Sequence, residues 1–82
     1  MVARLSGQTD VDGSLKRLGE AVRKARKTLG VSQETLADVA GIDRSHMGKI
    51  ERGERNVTLL NVARVAKALN CKPSDLLASA GL

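Results

Sequence analysis

The 82-residue sequence predicts an all-α protein. Leu, Ala, Arg, Lys and Glu dominate it and its β-branched residues are scattered rather than alternating, which favours helix over strand. Its apolar residues recur three or four positions apart, in segments that begin at Ser, Asp or Thr and end at Gly, the punctuation of short capped helices. With 41% hydrophobic and 28% charged residues the composition is that of a globular chain, and its length suits one domain that needs neither metal nor disulfide.

Residues 1–13, MVARLSGQTDVDG, are polar and Gly-containing and read as a flexible tail, in which the lone Arg4 is too little for a basic arm. The domain then spans residues 14–82 as five helices. Ser14 is the expected N-cap of the first, whose face is Leu15, Leu18, Val22, Ala25 and Leu29 and whose end is Gly30. Ser32 caps a second, short helix with Leu36, Ala37 and Ala40 on its buried side, and Gly41 closes it. Asp43 caps a third carrying Met47 and Ile50, stopped by Gly53. After the polar loop GERNV, Thr58 caps a fourth helix running to about Asn70. Its stripe of Leu59, Val62, Val65, Ala66 and Leu69 is broad enough for the central buried helix. Pro73 suits the first turn of a fifth, with Leu76 and Leu77, because that turn leaves its N–H groups unpaired.

Composition also excludes functions. Without Phe, Tyr or Trp, no aromatic platform can stack the bases of single-stranded DNA or RNA. No apolar run reaches the roughly 18 residues of a membrane span, and no secretory pattern opens the chain, so a cytoplasmic protein without a membrane partner is expected. Cys71, the single cysteine, fits a reducing compartment. One His and one Cys, with no nucleophile elbow, phosphate-binding glycine loop or metal-ligand spacing, argue against an enzyme and against any metal or cofactor. The net charge of +5 is concentrated: residues 14–29 carry six Lys and Arg against one Glu, whereas residues 30–57 carry four against five acids. A basic stripe is the footprint of a polyanion partner, though a solvated face has the same composition.

The stretch QETLADVAGIDRSHMGKIER resembles the helix-turn-helix of the lambda-repressor-like family, the Cro and xenobiotic-response-element type. That pattern wants a small residue where two helices cross, Gly in the turn and apolar residues at set offsets, met here by Ala37, Gly41 and the set Leu36, Ala40, Ile42, Met47 and Ile50. The likeness extends over about residues 15–78. It departs from the family at Lys72, where a Ser or Thr cap is usual, in the aromatic-free core and in the tail.

The resemblance implies a compact five-helix DNA-binding domain whose third helix enters the major groove. Arg44, Ser45 and Lys49 would then face base edges: Arg44 can donate twice to guanine O6 and N7, Lys49 can reach the same acceptors, and Ser45 can donate or accept. Ser32, Gln33, Arg52, Arg55 and Asn56 would seat the motif on phosphates. His46 is assigned a groove-side or solvent position and no chemistry, and Gly48 either permits close approach to DNA or has no role. Arg26 and Glu51 fall on apolar faces, and the resemblance implies that they pair with each other as a structural ion pair. The other basic residues of helix one, Lys16, Arg17, Arg23, Lys24 and Lys27, face solvent, with one or two beside phosphates.

Leu60 lies off the helix-four stripe. It is a core contact, a lone surface leucine, or, with Pro73, Leu76 and Leu77, part of a two-fold interface. The expectation is therefore a sequence-specific regulator of transcription that binds a palindromic operator in double-stranded DNA as a homodimer, without a small-molecule effector. Phage or plasmid repressors, restriction-system controllers and housekeeping regulators all satisfy it. An antitoxin or adaptor that uses the fold to bind a protein is the alternative class.

Overall fold

The structure, a computed structural model, describes residue 10 and residues 12–82. Among them five helices follow in order: α1 (Ser14–Leu29), α2 (Gln33–Ala40), α3 (Arg44–Arg52), α4 (Leu59–Ala68) and α5 (Pro73–Ser79). None of these is long and apolar enough to cross a membrane. The tail residues 1–9 and 11, Arg4 included, lie outside the described residues.

Local chemistry sets most boundaries. Ser32, Asp43 and Thr58 each occupy an N-cap and accept N–H groups of the following turn, at Thr35, at Ser45 and His46, and at Asn61. Gly41 ends α2 at φ 70°, a left-handed conformation costly for any residue with a Cβ. The fifth helix lacks a Ser or Thr cap, and the Asp75 carboxylate compensates by reaching back to accept the Lys72 N–H at 3.0 Å.

The start of α1 differs from expectation. Gly13, not Ser14, is the N-cap, and it has no side chain to accept. Two upstream carboxylates serve instead: Asp12 accepts from the Ser14 N–H and hydroxyl, and Asp10 accepts from the Leu15 and Lys16 N–H groups. Ser14 was the nearest capping residue in sequence, but a carboxylate accepts more strongly than a hydroxyl and also opposes the positive end of the helix dipole.

The core is aliphatic. Leu18 and Val22 of α1, Leu36 of α2, Met47 and Ile50 of α3, Val62 and Val65 of α4 and Leu76 of α5 are all buried around it, each contributing about 1.5–3 kcal/mol of transfer free energy. Ala37 is fully buried, and its single methyl lets α2 settle against both α3 and α4. Helix α1 packs on α3 and α5.

Two glycines set how α1 meets α3. A Cβ on Gly19 would lie 2.4 Å from the Ile50 carbonyl oxygen and 2.5 Å from that of Glu51, and one on Gly53 would lie 2.6 Å from the Lys16 Cα. The backbone of α1 therefore rests directly on the C-terminal end of α3. Neither close approach was expected.

Helix α4 is less enclosed than its stripe implied. Leu59 is 78% exposed although its spacing places it with Val62 and Val65, because periodicity fixes the side of a helix and not whether a neighbour covers that end. Its last turn closes at Leu69, and Asn70 takes the left-handed conformation at φ 60°. Leu76 is only 2% exposed. It packs into its own core, so it leaves the surface suggested for a two-fold interface.

Candidate nucleic-acid interface

Helix α3 is divided lengthwise. Met47, Ile50 and Glu51 are buried, whereas Arg44, Ser45 and Arg52 are exposed on the other side. Those three line one open groove with Gln33, Asp43 and Gly48, about 520 Å³ in volume, which runs from the first residue of α2 along the length of α3. A second groove of about 580 Å³ shares Gln33 and Arg52 with it and is lined further by Lys16, Glu20 and Arg23 of α1 and by Glu54. The exposed face of α3 thus continues onto the basic face of α1, at Lys16 and Arg23. Lys49 is half-buried and not among the residues lining either groove, so it stands at the edge of the face.

Beneath the face lies a polar cluster. Arg26 and Glu51 pair through two contacts, Nε to Oε2 at 2.7 Å and Nη2 to Oε1 at 3.0 Å, with side chains 12% and 3% exposed. The third guanidinium nitrogen, Nη1, donates to the Val31 carbonyl at 3.0 Å. Gln33 Nε2 donates to the same Glu51 Oε1 at 3.1 Å. One carboxylate therefore ties α1, the start of α2 and α3, and its hydrogen bond holds the Arg26 guanidinium more firmly protonated than usual. No buried side-chain N or O among the described residues lacks a partner.

Several exposed candidates already have protein partners. Arg44 Nη2 lies 2.9 Å from Glu34 Oε1, and Arg52 Nε lies 2.9 Å from Glu54 Oε2. The Arg52 guanidinium holds the Glu54 carboxyl below its usual pKa. The Ser32 hydroxyl accepts from the Thr35 N–H and donates to the Thr35 hydroxyl, so it must turn to donate to a phosphate. Gln33 is committed to Glu51 through one of its two amide hydrogens and retains the other. Arg55 is exposed in the loop after α3 with no ion pair among the described residues, and Asn56, also exposed, sits beside it.

Two residues read ambiguously from sequence acquire places. His46, expected on the groove side or in solvent, is half-buried, with its Nε2 3.5 Å from Asn61 Nδ2 of α4. Gly48 is buried under the first groove, where a Cβ would meet Arg52 Nη1 at 3.1 Å and Gln33 Oε1 at 3.3 Å. Its missing side chain lets the arginine and the glutamine fold over α3. The acid partners Glu34 and Glu54 were not singled out from sequence; Glu54, two residues from Arg52, was the one that spacing could have suggested.

Comparison with known proteins gives concordant results. A helix-turn-helix family model matches residues 22–76. The chain is 46% identical over 65 residues to control protein C.SmaI of Serratia marcescens, covering 79% of this chain and 77% of that one. It is 43% identical over 60 residues to control protein C.BamHI of Bacillus amyloliquefaciens, covering 72% and 74%. Its fold matches the crystal structure of the restriction-modification controller protein C.AhdI from Aeromonas hydrophila with a TM-score of 0.76 and 45% identity, over 78% of this chain and 97% of that one.

Proposed function

Because the chain belongs to the helix-turn-helix family, we propose that it is a transcriptional regulator of the restriction-modification controller type, binding a palindromic operator in double-stranded DNA as a homodimer. The observation that carries this is the division of α3, whose buried side is anchored through Glu51 to α1 while Arg44 and Ser45 open outward onto a groove. A rigid helix presenting donors suits a major groove that displays guanine O6 and N7.

In this reading Arg44, Ser45 and Lys49 read bases. Phosphates are held by Arg52, Arg55 and Asn56 on one side and by Ser32 and Gln33 on the other, with Lys16 and Arg23 adding sequence-independent attraction. The motif segment is slightly acidic, so affinity leans on these few placed residues. The two-fold contact falls to Leu60, Pro73 and Leu77, joined by Leu59, since Leu59 and Leu60 are 78% and 59% exposed. A DNA target makes the cytoplasm its place of work, and no effector or catalytic step enters.

Selection from random duplexes tests the proposal. A palindromic site with half-sites about 34 Å apart is expected, with the preference for it reduced but not abolished by Arg44→Ala. Sedimentation should show a dimer at micromolar concentration that Leu60→Glu converts to monomer. Recovery of no palindrome, or a monomer unaffected by Leu60→Glu, overturns the corresponding part.

A further inference from the structure

The Glu34 carboxylate lies 2.9 Å from Nη2 of Arg44, which lines the first groove and faces DNA in the proposed reading, so a negative charge beside it should be unwelcome. It bridges the first turn of α2 to the first residue of α3, the two helices whose relative placement defines the motif. Arg44 makes no other ion pair or hydrogen bond through its side chain among the described residues, so the second Nη2 hydrogen remains to form a donor edge with Nε or Nη1. We propose that Glu34 is a specificity-determining positioning residue, which holds the Arg44 guanidinium for guanine and blunts its attraction to phosphate. This rests on the reading of Arg44 as a base contact.

A free guanidinium on a flexible stem is drawn to any phosphate, whatever the sequence. Paired with a carboxylate it carries little net charge, and such pairing yields only a small gain in stability because both side chains are more than half exposed. The pairing also keeps the Nη2 corner of the guanidinium beside the first turn of α2. Guanine O6 and N7 are neutral acceptors in one plane that a donor edge can engage together, whereas a phosphate, although it too can take two N–H donors, is an anion whose attraction falls most when the net charge of the guanidinium is offset. The carboxylate itself repels neighbouring phosphates. Each effect lowers non-specific binding more than specific binding.

Glu34 also lies where an acid favours the α2 dipole, and that role alone would alter stability without altering base preference. A double-mutant cycle separates the two. The wild-type chain first selects a site from random duplexes. Wild type, Glu34→Gln, Arg44→Ala and the double variant are then titrated with the selected duplex and with a scrambled duplex of equal composition, at two salt concentrations. Glu34→Gln should bind the scrambled duplex more tightly, with a salt dependence steeper by about one ion. The ratio of selected to scrambled affinity should fall about threefold or more, and in the Arg44→Ala background the same change should leave that ratio alone. An unchanged ratio with Arg44 present, or an equal fall with Arg44 absent, overturns the proposal while leaving operator binding intact. A wild-type chain that selects no site refutes the underlying reading of Arg44, and this inference with it.

Discussion

Replacing Glu51 with alanine removes the acceptor of three hydrogen bonds, two from Arg26 and one from Gln33. The guanidinium left behind is 12% exposed and keeps only the Val31 carbonyl. Breaking a buried pair by deleting one partner costs about 3–5 kcal/mol, because the surviving charge is stranded. The residual exposure of Arg26 admits some water, which puts the expected loss near the lower end, about 3 kcal/mol. A chain of 82 residues has a total stability of only about 4–12 kcal/mol, so a quarter or more would go. In a thermal melt followed by circular dichroism the midpoint should fall by about 12–24 °C. Replacing both residues by apolar ones of similar volume, Arg26→Met with Glu51→Leu, should recover most of that loss, since no charge is then buried alone. A single-variant loss below about 1 kcal/mol, the scale of exposed pairs such as Arg44–Glu34, would refute the reasoning. Equal losses in the single and double variants would refute it too.

Two glycine substitutions should diverge. Gly19→Ala gains helix propensity but drives a methyl into the Ile50 and Glu51 carbonyls, so urea unfolding should show a net loss of about 1–3 kcal/mol. At Gly48 the neighbours are the ends of Arg52 and Gln33 side chains rather than backbone. Gly48→Ala should therefore leave stability unchanged or raise it by up to about 1 kcal/mol, while DNA affinity falls because both side chains are displaced. Acid unfolding gives a third test. Hydrogen bonds from Ser14 hold the Asp12 carboxyl below its usual pKa. Its contribution is accordingly complete above the ordinary carboxylate range and is lost as pH falls through the lowered value. Asp12→Asn should flatten that part of the stability profile without moving the neutral-to-alkaline part.

Most of the helix framework was legible because its determinants are local. Ser32, Asp43 and Thr58 cap and Gly41 and Gly53 terminate through hydrogen bonds within a few residues of themselves, so a linear reading suffices. The start of α1 differs for a related reason: Ser14 stands nearest, yet Asp10 and Asp12, reaching in from the polar segment before it, hold the first turn. In the candidate site the outward placement of Arg44, Ser45 and Arg52 could be read from helical spacing against Met47 and Ile50. The engagement of Gln33 by Glu51, and of Arg44 by Glu34, could not, since each joins residues on different helices.

The sequence by itself determined that five short helices form, which residues punctuate them, and that one of them turns polar side chains outward from an apolar seam. Only the tertiary structure decided which apolar residues that pattern encloses, sinking Leu76 and leaving Leu59 bare, and that Gly19 must lack a side chain because Ile50, 31 positions along the chain, passes over it. Periodicity and capping are properties of one helix and follow from its own residues. Burial, close backbone approach and ion pairing depend on where a second helix lies, which the first helix does not encode.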